Sequence, residues 1–292
     1  MTKSRKIEEI ILNVFFTVIS LLILIPFLLL LSVSISNEKD IVDFGYSLIP
    51  KNIDFAAYRY VFKNPESVFN AYKVTFIYSV LAMVTSTLVM AMCAFPLSRK
   101  KLKGRTAISF YLYFTMLFSG GLVPSYLLNT QYLHLNDTIW IYIIPGLVSP
   151  WWVFMMRTFF SDLPEEIFES MTIDGAGSFN IFFRTVLPLS KPVLATAMLN
   201  IFLGKWNDWM TSMLYINNEK LISLQYLLQR IMQNMKLLQE MASTGVNLSD
   251  VSVPSETTRM AMAVVVAGPA LVVFPFFQKY FVRGLTVGSV KG

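Results

Sequence analysis

The chain has 292 residues, of which 55% are hydrophobic and only 14% charged. That balance excludes an ordinary soluble domain, in which roughly 25% of residues are charged. The formal net charge of +6 would raise the question of nucleic acid in a soluble chain. Here the basic residues flank apolar stretches and read as membrane topology, with no nucleic acid partner implied.

About 20 mostly apolar residues cross the roughly 30 Å hydrocarbon core of a lipid bilayer as a helix. Six windows meet that length: Ile11 to Val33, Val74 to Phe95, Ala107 to Leu127, Ile139 to Phe159, Val193 to Leu214, and Arg259 to Phe281. They are too long and too continuous for barrel strands, which alternate in polarity over segments of about 10 residues. The expectation is an all-α, polytopic membrane helical bundle with six transmembrane helices, forming a single domain over residues 1–292.

Lys3, Arg5 and Lys6 precede the first window, as in a secretory signal. Its apolar core from Val14 to Leu31 exceeds a signal's roughly 7 to 15 residues and no small-residue cleavage site follows, so a retained span is expected. Arg99, Lys100, Lys101, Lys103 and Arg105 crowd between spans two and three with no acidic residue among them, whereas Leu128 to Thr138 has no Lys or Arg. Positive flanks resist translocation, so the second loop faces the cytoplasm. An even number of spans then puts both termini there, in keeping with Lys279, Arg283 and Lys291 near the end.

Cys93, the only cysteine, lies within span two and reads as a packed thiol; His134, the only histidine, reads as a solvated loop residue. Neither a cysteine cluster nor a histidine pair is available for metal, and no Ser-His or Cys-His relay can form in the membrane. No Gly-x-x-x-x-Gly-Lys-Ser/Thr phosphate cradle occurs, so any ATP used is bound by another polypeptide.

Three connections are long enough to have a task of their own: Ser34 to Lys73, Ser161 to Lys191, and Tyr215 to Thr258. The first and third face outward and the middle one faces the cytoplasm. In the third, Leu221, Leu224, Leu228, Ile231, Met235 and Leu238 recur every three or four residues among Gln229, Arg230, Gln233, Asn234 and Glu240. That spacing predicts an amphipathic helix, which either caps the bundle or meets an extracytoplasmic partner.

The middle loop, about 161–191, reads SDLPEEIFESMTIDGAGSFNIFFRTVLPLSKP. Pro164 suits a first helical turn and Glu165 and Glu166 suit the positive end of the helix dipole, while Asp174-Gly175 supplies a turn that ends the helix. The result is a short cytoplasmic helix over Pro164 to Ile173 with Ile167, Phe168 and Met171 on one apolar face, for which nothing in the chain is an obvious partner. A second short helix over Ser178 to Thr185 leads to Leu187-Pro188 and Lys191-Pro192, where span five begins.

This loop resembles the cytoplasmic "EAA" loop of ABC importer permeases, in which Glu-Ala-Ala is followed by three residues, a glycine, and later an Ile-x-Leu-Pro. Glu169, Gly175, Leu187 and Pro188 fall at those positions, with Ser170 and Met171 in place of the alanines and Thr185 in place of the isoleucine. MLFSGGLVPSYLL, GKWNDWMTSMLYI and FPFFQKYFVRGLTVGSVKG are similar to oligosaccharide permeases of the maltose-permease class, and the likeness runs from about Asn64 onward. Within that class, permeases for complex oligosaccharides and polysaccharide fragments are most similar.

The resemblance implies a subunit in a bacterial inner membrane that forms its pathway with a second, homologous permease. It also implies an oligosaccharide substrate delivered by an extracytoplasmic solute-binding protein, and two ATPase subunits that carry ATP and Mg, with no cofactor on this chain. The short helix would dock in a groove of the ATPase, whose closure rocks the membrane helices. Candidate coupling residues are Glu166, Phe168, Glu169, Met171, Asp174, Gly175, Leu187 and Pro188.

Span five has the densest polar cluster of any span. At roughly 100° per residue, Asn200, Gly204, Asn207, Asp208 and Thr211 share one sector, with Lys205 and Ser212 at its edge. Polar groups at membrane depth face a bundle interior or a wet cavity. Two readings stay open: Lys205 and Asp208, three apart, form an ion pair, or Asn207 and Asp208 bind sugar hydroxyls while Lys205 attracts an acidic sugar or a charged partner residue. Trp206 points away from the sector and reads as a packing or interfacial anchor. Ser119, Gly120, Gly121 and Pro124 interrupt span three, either shaping the same passage or packing tightly against a neighbour, and Gly268, Pro269 and Pro275 mark a bend in span six.

An ion-coupled secondary transporter should contain buried carboxylates in several spans, whereas Asp208 is nearly alone. A membrane-embedded enzyme would need a catalytic cluster that the spans lack.

Overall fold

The structure, a computed structural model, describes residues 3–243 and 256–288. Residues 244–255 of the third long loop and residues 289–292 of the C-terminal motif, Lys291 among them, lie outside the described residues. In chain order the helices are α1 (Lys3–Ser34), α2 (Glu38–Phe44), α3 (Ala56–Val61), α4 (Pro65–Ser98), α5 (Arg105–Leu117), α6 (Leu122–Leu127) and α7 (Pro150–Ser161). They continue with α8 (Glu165–Ile173), α9 (Ser178–Ile181), α10 (Leu187–Leu189), α11 (Lys191–Trp206), α12 (Met210–Tyr215), α13 (Leu224–Ser243) and α14 (Glu256–Gly288). Apart from one isolated bridge, Ser36 with Ile53, there is no strand pairing among the described residues.

Three stretches are single helices long and apolar enough to cross a membrane: Glu8–Ser34, Pro65–Ser98 and Glu256–Gln278. The other stretches of this length are bent pairs, the first of them at the interruption expected in span three. Arg105–Leu117 and Leu122–Tyr132 meet at 114°, Ile139–Gly146 and Pro150–Ser161 at 54°, and Ser178–Leu189 and Lys191–Trp206 at 81°. Apolar content set the windows in sequence, but punctuation residues set the breaks. Gly121, at φ +84° and ψ −174°, holds a backbone conformation essentially confined to glycine. Pro145 and Pro150 each open a new helical turn, because proline has no N–H to give to a preceding one.

The chain divides into two compact units, Met1–Glu66 with Leu228–Gly268 and Ser67–Leu227 with Pro269–Gly292. In the first, α1 exposes apolar side chains along nearly its whole length and becomes buried only near Ser32 to Ser36. The loop after it is ordered by small polar devices. The Asn37 side chain accepts from Lys39 N–H at 3.0 Å to start α2, and Asp54 receives both Ala56 N–H and Arg59 Nη2 at 2.9 Å beside α3. Glu38 then reaches the start of α14, taking Glu256 N–H at 2.9 Å, Thr257 N–H at 3.0 Å and Thr257 Oγ1 at 2.6 Å. The first N–H groups of a helix have no partner inside it, and a carboxylate satisfies them with the favourable sign of charge.

In the second unit the main core joins three helices through residues three and four apart. Met90, Ala91, Ala94 and Leu97 of α4 meet Val153, Met156 and Phe160 of α7 and Val193, Leu194 and Ala197 of α11. Phe168, Ile181, Phe182 and Val186, from the loop between α7 and α11, complete it. A second cluster closes the far end of α4, where Val74, Tyr78 and Ala82 pack on Ile141, Tyr142, Ile143, Ile216 and Ile222. Cys93 sits between the buried positions of α4 and is exposed, which corrects the expectation of a packed thiol: the stripe through Met90, Ala94 and Leu97 turns residue 93 outward.

The amphipathic helix of the third long loop starts at Leu224, not Leu221. Residues Glu219–Leu221 form a tight 3-10 turn capped by Asn218, and Leu224 N–H is taken by Thr75 Oγ1 at 2.8 Å. Leu228 and Met235 are buried while Gln233, Asn234, Lys236 and Glu240 are exposed, as the spacing predicts.

Candidate functional site

The loop between α7 and α11 forms the short helix in the expected place, with Pro164 as the residue ahead of α8. Its end is a Schellman turn. Ala176 N–H bonds to Met171 O at 2.9 Å, Gly175 N–H bonds to Thr172 O at 3.1 Å, and Gly175 takes φ +80°. A Cβ at Gly175 would meet no atom within 4 Å, so glycine is required there by the backbone and not by crowding.

The helix is divided by function of face. Phe168 is 8% exposed and belongs to the main core, against which Met171 and Leu187 are partly buried. The apolar face therefore does have a partner within the chain, contrary to expectation: the residues that follow α8 fold back beneath it. Glu166, Glu169, Asp174, Gly175 and Pro188 are exposed, and Ile173, at 86%, is the most exposed large apolar side chain among the described residues. Thr185 and Met171, two departures from the expected loop pattern, meet each other, with Thr185 Oγ1 donating to Met171 Sδ at 2.8 Å. The second short helix also outruns its expected end. Helical backbone continues from Ser178 through a wide π-type turn at Phe182–Val186 to Leu189, and that wide turn directly precedes Pro188, which cannot donate to a carbonyl four residues back.

Arg99 fastens this loop to the ends of α4 and α7. Its Nε donates to Ser98 Oγ at 3.0 Å and its Nη2 donates to Phe160 O at the end of α7. Its guanidinium carbon lies 3.9 Å from the Phe168 ring centre and 5.7 Å from that of Phe95. Stacking of this kind contributes about 0.5–1 kcal/mol when exposed and roughly 2 kcal/mol when desolvated. Burial pulls the Arg99 pKa below the usual arginine value while Glu165 opposes the shift, and an arginine remains charged throughout. Between the basic run and α8 lies a cavity of about 830 Å³ lined by Arg99, Lys100, Lys101 and Arg105 on one side and Glu165, Glu169 and Ile173 on the other.

The polar cluster of span five is not one helical face. Helix α11 ends at Trp206, Asn207 is its C-cap, and the chain restarts at Met210. Asn207 Nδ2 donates to Leu203 O at 2.8 Å, and Tyr78 OH donates to Lys205 O at 3.1 Å, each adding a second donor to a carbonyl that also accepts a backbone N–H at the helix end. Asp208 caps the restart, accepting Thr211 N–H at 3.0 Å and Thr211 Oγ1 at 2.6 Å. Asn200, Gly204 and Asn207 remain together on an exposed face, while Asp208 and Thr211 turn toward each other. Among the described residues no ion pair joins Lys205 to Asp208, so the expected pairing is not formed. The carboxylate serves as a cap, and the Lys205 ammonium lies over Gly146, 3.0 Å from where a Cβ would stand. Trp206 is buried and stacks on Phe202 at 5.8 Å, in the packing position its angle predicts.

Ser119, Gly120 and Gly121 are exposed at the sharpest bend, where Ser119 Oγ accepts Gly121 N–H at 3.2 Å. Among the described residues no hydrogen bond links them to the span-five cluster.

The sequence profile of the binding-protein-dependent transport system inner membrane components matches residues 2–287. The chain belongs to this family. It is a transport component and not an enzyme. Similar relatives include LplC of Bacillus subtilis strain 168, 32% identical over 292 residues, which are 100% of this chain and 97% of LplC. Another is the polygalacturonan/rhamnogalacturonan transport system permease protein YtcP of the same strain, 34% identical over 95% of this chain and 96% of YtcP. Among solved structures, a crystal structure of a bacterial ABC transporter involved in import of the acidic polysaccharide alginate superposes with a TM-score of 0.79. It is 29% identical and covers 96% of this chain and 99% of its own.

Three positions in contact with the candidate site residues were not among those singled out from the sequence. Arg99 was counted only as a topological charge. Gly146 follows Pro145 in a Pro-Gly turn signal that was not drawn on, and its missing Cβ admits Lys205. Gln225 lies in the amphipathic pattern, and its Nε2 donates to Asn207 Oδ1 at 3.0 Å, extending the exposed polar face.

Proposed function

We propose that the chain is one of two membrane subunits of an oligosaccharide importer, with six spans, both termini in the cytoplasm and α8 as the docking helix for an ATPase. The observation that carries this is the divided face of α8: Phe168 and Met171 are locked into the bundle while Glu166, Glu169 and Ile173 project from it. A helix fixed to the membrane segments on one side and open on the other can transmit a partner's displacement. The basic residues 99–105 lie at the same end as α8, which supports the cytoplasmic assignment by the positive-inside rule. ATP and Mg belong on the ATPase subunits, one permease and one solute-binding protein complete the assembly, and the bent third, fourth and fifth segments count as spans. Residues 1–292 then act as a single permease domain.

The exposed face of Asn200, Gly204, Asn207 and Gln225 is the proposed lining for sugar, with Ser119, Gly120 and Gly121 shaping the passage. Lys205 supplies a cation whose nearest carboxylate is engaged as a helix cap. The solved relative that imports an acidic polysaccharide supports an acidic oligosaccharide as cargo. Uptake of labelled neutral and acidic oligosaccharides in cells lacking the chain, complemented with the natural protein or with Lys205→Met, tests both levels. Lys205→Met should reduce acidic uptake and spare neutral uptake. Equal loss of both rejects the acidic preference, and failure of the chain to co-purify with an ATPase rejects the importer.

A further inference from the structure

We propose that Arg99 is a positioning residue for energy coupling: it transmits displacement of α8 to the ends of α4 and α7. The proposal rests on the reading of α8 as the ATPase-docking helix. Arg99 is the first residue after α4, and its one side chain reaches three segments at once. It bonds to Ser98 at the end of α4 and to the Phe160 carbonyl at the end of α7, and it covers the Phe168 ring of α8 at 3.9 Å. The carbonyl it takes is one of the last of its helix, which has no partner within α7.

Of the neighbouring cations, Lys100, Lys101 and Lys103 are exposed, whereas Arg99 is half-buried beneath the loop; Arg105 is half-buried too, but its Nε goes to Leu97 O of α4 at 2.9 Å. Phe168 in turn stands 6.4 Å from Phe95, and Phe95 stands 5.6 Å from Phe182, so the guanidinium lids an aromatic group drawn from α4, α8 and the π-type turn. Among the described residues, the remaining ties of α8 are contacts of apolar side chains and the Thr185 to Met171 bond. Apolar contacts slide without strict geometry. A planar fork that stacks on a ring and bonds to two segments fixes both distance and angle.

The chemistry demands arginine. A lysine keeps the positive charge but has neither a flat face for the ring nor a fork of fixed geometry. Arg99→Lys therefore preserves the topological charge while removing the link, which separates coupling from membrane insertion.

The test uses the whole importer in proteoliposomes, reading sugar moved per ATP hydrolysed. Arg99→Lys and Arg99→Ala should assemble with the ATPase yet lower that ratio about tenfold, and Phe168→Leu should lower it similarly. Combining Arg99→Ala with Phe168→Leu should be no worse than either alone, as expected for two parts of one link. A normal ratio in Arg99→Lys overturns the proposal. So does a loss of transport that only matches a loss of assembled complex, since that is a structural role. A photo-crosslinking amino acid placed at Ile173 keeps the underlying reading separate. Capture of the ATPase together with a normal ratio in Arg99→Lys rejects the role of Arg99 alone, and absence of capture rejects the docking helix itself.

Discussion

Replacement of Gly175 isolates a backbone effect from a steric one. The residue has φ +80°, and a Cβ built there meets nothing within 4 Å, so any loss comes from the left-handed conformation itself. For an ordinary L-residue that conformation costs roughly 1–2 kcal/mol, which corresponds to about a 5- to 30-fold shift in the population of the native turn. Asparagine tolerates the left-handed region better than alanine, and a β-branched residue tolerates it worst. Transport should therefore fall in the order Gly, Asn, Ala, Val, with Val abolishing it, while membrane insertion and abundance stay normal. The assay is ATP-dependent uptake into inside-facing vesicles, normalised to the amount of inserted chain. An order that follows side-chain volume, with Asn worse than Ala, refutes the backbone argument. Normal transport in Gly175→Val refutes the role of the turn in coupling.

Three other outcomes are expected. Gly121→Ala should cost about 1–3 kcal/mol because φ +84° with ψ −174° is a glycine conformation. Gly120→Ala should be mild, since its Cβ would stand 3.5 Å from Pro124, and thermal unfolding in detergent compares the two. Asp208→Ala removes the cap of α12 and should lower stability by about 0.5–2 kcal/mol, while Asp208→Asn should retain most of it; equal loss in both would mean that the carboxylate's charge matters more than its cap. Asp137 accepts Asn217 N–H at 2.6 Å and Asn218 N–H at 2.8 Å, which holds its carboxyl below the ordinary carboxylate value. Its contribution is therefore complete above that ordinary value and is lost as pH falls through the lowered one. Asp137→Asn should flatten the acid limb of a stability-against-pH curve, and an unchanged limb would contradict this.

How much could be read in advance depends on the range of the interactions involved. The turn at Gly175 and the start of α8 were legible because proline, acidic first-turn residues and a closing glycine act within a few neighbours of their own position. The same holds for α13, whose buried positions follow from spacing alone. The break after Trp206 was not legible: Asn and Asp are tolerated within a helix, and at 207 and 208 they became caps only because Tyr78 and Ser223, distant in sequence, bond to the carbonyls there.

The sequence by itself determined that the chain is helical, apolar enough for a membrane, and equipped with one short helix ended by a glycine. These follow from composition and local backbone preference, which need no partner to act. The tertiary structure alone decided what the apolar face of that helix packs against, that Arg99 joins three segments, and that the Lys205 ammonium lies over Gly146. Each is a contact between residues far apart in the chain, where packing geometry chooses among partners that charge and periodicity leave equally available.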